Sequence, residues 1–298
     1  MDMRQLTLAV RLAETLHFGK AAELENIAQS GLSTQIAKLE AEVGFYIFDR
    51  TSRRVALTEA GELFIQKAKQ ILNAVRGALQ DCQAAATQNR GVLRIGFFGN
   101  GAIEPIHGAF DLFRHRNPGI LLKFVELRMP NQIQALIDGA IDVALVYLPF
   151  DDERLELTPI LGEPRVVAVP FGHPMADAPS LHVYDLQNKP FAMACEGTPS
   201  EWISFWSLNC DQRDARTCPR VSTIQEGLAT VAYKGAFDTL PLSATRFYRH
   251  PGVRYIPLLD ASQSTLAFAK YKDNNNPAIQ AFRQCVETIR QFPLIAAL

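Results

Sequence analysis

The sequence predicts an α/β protein in three parts: an N-terminal helix-turn-helix with a β-ribbon wing, one long helix, and a larger α/β portion in two lobes. Three observations predict it. Three short amphipathic helical patterns fill the first 40 residues. Apolar positions spaced four and three apart run without a miss from Phe64 to Ala85. Beyond residue 91, apolar strands alternate with helical patterns, as βαβ units require.

The 298 residues are 48% hydrophobic and 20% charged, which excludes a disordered chain. The 30 Lys and Arg against 31 Asp and Glu leave a net charge of −1, which argues against a polycationic nucleic-acid or membrane-surface binder and leaves local patches open. No apolar run reaches the roughly 18 residues of a membrane span. Asp2, Arg4, Arg11 and Glu14 make the N-terminus unlike a secretory leader, so a cytoplasmic protein is expected. Five scattered cysteines without a CxxC read as free thiols, and the histidines do not cluster, so neither metal nor cofactor is expected.

In the first helix Leu6, Leu8, Ala9, Leu12 and Ala13 share an apolar face. The second opens near Phe18-Gly19, with Gly19 as a weak N-cap, and carries Ala21, Ala22 and Leu24. The third spans residues 29–40, with Leu32, Ile36 and Leu39 on one side. The paired alanines allow the close crossing of a helix-turn-helix. The exposed face of the third helix then carries Gln29, Ser30, Ser33, Thr34 and Lys38, short polar groups and a cation suited to base edges and phosphates. A solvated face on an ordinary helical subdomain remains the alternative at this point. Next, residues 43–57 read as a β-ribbon with its tip near Thr51-Ser52, where Arg50, Arg53 and Arg54 form the densest basic cluster of the chain.

With these residues in view, the run FGKAAELENIAQSGLSTQIAKLEAEVGFYIFDRTSRRVALTEAG resembles the N-terminal signature of the LysR-type transcriptional regulators. The resemblance implies a winged helix-turn-helix over residues 1–58 that reads double-stranded promoter DNA. It places Gln29, Ser30, Ser33 and Thr34 in the major groove and Arg50 and Arg53 on the backbone or minor groove, with Lys20, Lys38 and Arg54 as further cations. The family often has Pro where this chain has Ser30 and Arg where it has Thr34.

Thr58, followed by Glu59 and Glu62, is a plausible cap for the long helix, assigned to residues 59–88. Its seam of Phe64, Ala68, Ile71, Val75, Ala78, Cys82 and Ala85 argues for helix pairing between two copies. LysR-type regulators resemble this too, dimerising through such a helix and assembling into homodimers and homotetramers.

Over residues 91–298, strands are expected at 92–97, 121–127, 141–146, 155–161, 166–169, 237–240, 253–257 and 265–269. Helices are expected at 106–116, 131–138, 200–209, 224–234 and 277–290. The order fits parallel units in two lobes, residues 91–161 with 266–298 and residues 162–265. Segments 166–176 and 226–241 resemble the family's effector-binding domain, whose architecture is like that of periplasmic binding proteins of type 2.

Ligands of open α/β sheets bind beyond the carboxyl ends of the strands. That rule selects Phe98, Gly99, Asn100, Gly101, Arg128 and Tyr147 from one lobe, and Thr198, Ser200, Trp202 and Thr223 from the other. A small carboxylate, aromatic in the simplest case, would suit such a set. Gly96, Gly99 and Gly101 do not match a dinucleotide fingerprint, and no GxSxG, HExxH or P-loop is present, so no enzyme is expected. Two alternatives stand beside the regulator: a solute-binding protein, and a redox-sensing regulator using Cys210 and Cys218, whose neighbours Arg213 and Arg216 would lower a thiol pKa.

Overall fold

Asp2 starts the first helix by a reciprocal cap: its carboxylate accepts the Gln5 N–H at 2.8 Å, and the Gln5 side chain accepts the Asp2 N–H at 3.0 Å. A computed structural model of the chain describes residues 1–51, 54–86, 91–209 and 220–291. Helix α1 (Met3–Thr15) ends at Leu16 in the left-handed conformation. Helix α2 (Phe18–Leu24) is capped by His17, whose Nδ1 accepts the Lys20 N–H, and not by Gly19, which lies inside the helix. The ring nitrogen supplies the acceptor that glycine lacks. Helix α3 (Gln29–Val43) runs three residues beyond the expected 40 and stops at Gly44, at φ +83°. Leu8, Ala9, Leu12, Ala21, Ala22, Leu32, Ile36 and Leu39 form the buried core between the three helices.

Strands β1 (Phe48–Thr51) and β2 (Arg54–Leu57) pair antiparallel as the wing, Arg50 opposite Val55 and Thr51 opposite Arg54. Buried Glu40 fixes the entry to this ribbon, one carboxylate oxygen accepting the N–H groups of Ile47 and Phe48 at 2.9 and 3.0 Å. Helix α4 (Glu59–Ala86) begins where the Thr58 hydroxyl accepts the Gly61 N–H at 2.9 Å. A side chain at Gly61 would collide with the Ile47 carbonyl oxygen, so the helix start packs directly on the wing's backbone.

A second compact unit follows α4. Strand β3 (Gly91–Phe97), helix α5 (His107–Arg116), strand β4 (Ile120–Glu126), the short helix α6 (Gln134–Ile137) and strand β5 (Val143–Tyr147) make the expected parallel units. The expected helix over 131–138 shortens to α6, because Pro130 sits in a 3-10 turn at Met129–Asn131 whose Asn131 side chain takes the Arg128 N–H. Strands β6 (Leu155–Glu163) and β7 (Arg165–Pro170) are separated by Pro164 alone. The second lobe continues with β8 (Met193–Ala194), α7 (Ser200–Trp206), β9 (Arg220–Val221), α8 (Ile224–Lys234), β10 (Asp238–Pro241), α9 (Ala244–Phe247) and β11 (Val253–Pro257). Strand β12 (Ser264–Tyr271) and helix α10 (Pro277–Gln291) return to the first lobe.

The first sheet has the order β4-β3-β5-β12-β6 and the second β10-β7-β11. Alternation alone suggested parallel pairing throughout; instead β12 runs antiparallel to β5 and β6, and the second sheet is antiparallel. The reason is connectivity, since β6 leaves the first lobe and β12 re-enters it in opposite directions. Helix α10 closes this lobe with Ile279, Phe282 and Val286 buried. Phe282 stacks on Phe110 at 5.5 Å and meets Phe113 edge-on at 5.6 Å, contacts worth about 0.5–1.5 kcal/mol each beyond area burial.

Candidate functional site

In the N-terminal unit, Leu32, Ile36 and Leu39 point α3 into the core, which turns Gln29, Ser30, Thr34 and Lys38 outward and leaves Ser33 half-buried. The Thr34 hydroxyl donates to the Ser30 carbonyl at 2.9 Å. Lys20 is exposed on α2. Arg50 and Arg54 stand on the two wing strands; Arg53 lies outside the described residues.

In the C-terminal unit a small cavity of about 40 Å³ lies between the lobes. Phe98 and Tyr147 reach it from the first sheet, and Trp202, Trp206, Ile224, Asp238 and Leu240 from the second lobe. Three of the ten expected ligand residues, Phe98, Tyr147 and Trp202, line it; the other seven are not among its lining residues. The Asn100 N–H donates to the Tyr248 hydroxyl at 2.9 Å. Gly99, at φ +73°, lets the lobes approach: a Cβ there would lie 2.5 Å from Ile224 Cδ1 and 2.9 Å from the Tyr248 oxygen. A Cβ at Gly101 would press on Ser243 in the same way. Arg128 is exposed, and its charge, after the Ser222 hydrogen bonds, helps hold the Glu226 carboxyl below the usual range. Thr223 caps α8, accepting the Glu226 N–H at 3.2 Å. Ser200 is exposed, and the buried Thr198 hydroxyl has no hydrogen-bond partner among the described residues.

The joint between the lobes is polar and buried. Glu163, the last residue of β6, accepts the Tyr147 hydroxyl at 3.0 Å, the Ser243 N–H at 2.7 Å and the Ser243 hydroxyl at 3.0 Å. Trp202 Nε1 donates to the Tyr147 carbonyl at 3.0 Å, and the Met129 N–H to the Ser222 carbonyl at 2.9 Å. Burial raises the Glu163 carboxyl above the usual carboxylate range and drives the Tyr147 hydroxyl well above an ordinary phenol. Beneath the cavity, Arg165 is buried, its Nη2 donating to Thr239 Oγ1 at 2.7 Å and to the Phe205 and Trp206 carbonyls at 2.9 and 3.3 Å. Its guanidinium lies 4.3 Å over the Phe205 ring. Burial lowers Arg165 to about 10 and raises Asp238, whose carboxyl packs against α8 at Gly227, to about 7.

Sequence reasoning missed Trp206, Asp238 and Glu163. For the first a signal existed, since both tryptophans of the chain fall within one short helix. For Asp238 it was an acidic residue inside an otherwise apolar strand.

Comparison with known proteins settles the family. Residues 3–62 match the family model of the bacterial regulatory helix-turn-helix protein, lysR family, and residues 86–290 match the LysR substrate binding domain. The chain belongs to the LysR family of transcriptional regulators. This LysR-type regulator is similar to the HTH-type transcriptional regulator AlsR of Bacillus subtilis (strain 168), with 30% identity over 95% of this chain and 94% of that one. It is also similar to the probable cat1 operon transcriptional activator of Acinetobacter lwoffii, with 32% identity over 89% and 88% of the two chains. Its fold matches that of CbnR, a LysR family transcriptional regulator, with a TM-score of 0.68 at 21% identity over 97% of this chain and 99% of that one. Among the described residues no helix is long and apolar enough to cross a membrane, and no cluster of His, Cys, Asp or Glu is arranged to hold a metal. Cys210 and Cys218 lie outside the described residues.

Proposed function

We propose that this LysR-type regulator reads duplex promoter DNA in the cytoplasm with the outward face of α3, under the control of a small molecule held between the lobes of its C-terminal unit, and that it is not an enzyme. The observation that carries the proposal is that face itself: Gln29, Ser30 and Lys38 are exposed on a helix whose opposite side is fully committed to the core. Gln29, Ser30, Ser33 and Thr34 would meet base edges, while Lys20, Lys38, Arg50, Arg53 and Arg54 would neutralise phosphates. A solved structure of full-length CbnR in complex with its target DNA has the same fold, and supports an assignment of this kind.

With few cations per chain, firm binding depends on assembly. On α4, Ile71 and Val75 of the apolar seam are 43% and 38% exposed, and pairing with a second copy would cover them. An effector acts through its different affinity for two arrangements of the regulator. Phe98, Tyr147 and Trp202 are its proposed contacts. Gly99, Asn100, Gly101 and Thr223 are proposed to act indirectly, by closing the lobes and starting α8, and Arg128, Thr198 and Ser200 as contacts of an opened cleft. A competition titration with DNA from upstream of the regulator's own gene against scrambled DNA of equal length tests the DNA assignment. Preference for the upstream DNA supports it; equal affinity contradicts it.

A further inference from the structure

The cavity wall has a definite chemical character once each polar group is followed to its partner. The Tyr147 hydroxyl is taken by Glu163, and the Thr239 hydroxyl donates to the Trp206 carbonyl while accepting Arg165. The Ser207 hydroxyl faces the Ser204 carbonyl at 3.5 Å. Two groups retain unused capacity. Trp206 Nε1 has no hydrogen-bond partner among the described residues. The Asp238 carboxylate receives the Thr239 N–H and keeps free lone pairs, of which a carboxylate has about four. Asp238 is the single acidic side chain among the described wall residues, where no basic one stands. Arg165, the cation whose charge acts on it, is not a wall residue; its Nη2 is engaged by three oxygen acceptors and its guanidinium lies over two aromatic rings, while its buried Nε has no hydrogen-bond partner among the described residues.

The rest of the wall is apolar and largely aromatic, with Phe98 edge-on to Trp202 at 5.8 Å and Trp202 and Trp206 at 5.6 Å. On the effector assignment above, we propose that the cleft takes a small aromatic alcohol or phenol, its hydroxyl donating to Asp238 and accepting from Trp206 Nε1, and that Asp238, once ionised, turns carboxylates away. A hydroxyl can both donate to a carboxylate and accept from an indole N–H, whereas a carboxylate ligand would set two acceptor-only anions together. A volume of about 40 Å³ admits little more than water, so the proposal requires the lobes to part before a ring enters.

The two tryptophans of the chain are both in this wall, so their emission reports on it. The full-length protein is titrated at pH 8 with benzyl alcohol and with benzoate. Saturable change with benzyl alcohol, and benzoate weaker by at least about tenfold, is expected. Asp238→Asn, with circular dichroism confirming the fold, should shrink that preference to within about threefold. Benzoate binding as tightly as the alcohol to the wild type overturns the proposal, as does an unchanged preference in folded Asp238→Asn. If neither probe alters the emission, the cleft assignment itself falls, and the proposal with it.

Discussion

Two glutamates are buried in the described structure, one in each unit, and both hold a functional joint together. Glu40 accepts two backbone N–H groups only seven and eight residues away and so sets where the wing leaves α3. Glu163 gathers Tyr147 from 16 residues before it and Ser243 from 80 residues after it, and so ties the two lobes. The same carboxylate chemistry acts as a local brace in one unit and as a long-range latch in the other. In the N-terminal unit the exit of the wing from α3 is therefore decided within a short stretch of chain. The joint between the lobes of the C-terminal unit is made by residues distant in the chain, and it is the joint that the proposed ligand would alter.

Substitutions should separate the two roles. The largest effect is expected from Glu40→Ala, which leaves two buried N–H groups without an acceptor, a loss of roughly 3 kcal/mol or more. DNA affinity and the helical melting transition should fall together while tryptophan emission stays unchanged, since both tryptophans belong to the C-terminal unit. A shifted emission maximum would show that the brace is not local. Glu163→Ala should cost about 2 kcal/mol and move that emission, because Trp202 is bonded to the Tyr147 that Glu163 holds. A variant with native emission would remove the latch.

A third contrast is in pH. The Asp238 carboxyl is raised to about 7 in the folded state against an ordinary 3.8, and burial raises Glu163 in the same direction. The folded form holds these protons more tightly than the unfolded form. Their contribution is thus fully present below about pH 4 and lost as pH rises through 7. The C-terminal unit should melt at a lower temperature at pH 8 than at pH 5, and Asp238→Asn should flatten that slope. Calorimetry showing equal slopes in the variant and the wild type would contradict this. Tyr147→Phe should have the smallest effect, about 1 kcal/mol, because one hydroxyl is lost and the two Ser243 donors to Glu163 remain.

The same contrast explains what could be read from the sequence. Leu32, Ile36 and Leu39 announce α3 and its outward face because helical spacing is a local property. The helix Ile224–Lys234 and the strand Val253–Pro257 are likewise legible to the residue. Small errors came from local rivals, as where His17 rather than Gly19 caps α2. The cleft was only partly legible. The rule of strand ends pointed to Phe98 and Tyr147, which line the cavity, but could not reveal that Gly99, Asn100 and Gly101 lie against Ile224, Tyr248 and Ser243. Nor could spacing bring Asp238 and Arg165 together, because their meeting depends on the antiparallel pairing of β10 with β7.

The reading role of α3 is the central claim, and the salt dependence of DNA affinity for Gln29→Ala tests it most directly. A residue that touches bases and not phosphates should lower affinity for the upstream DNA by about 1–3 kcal/mol and leave the slope of log affinity against log salt at its wild-type value. Affinity unchanged, or lost equally on every DNA with a shallower slope, would contradict it.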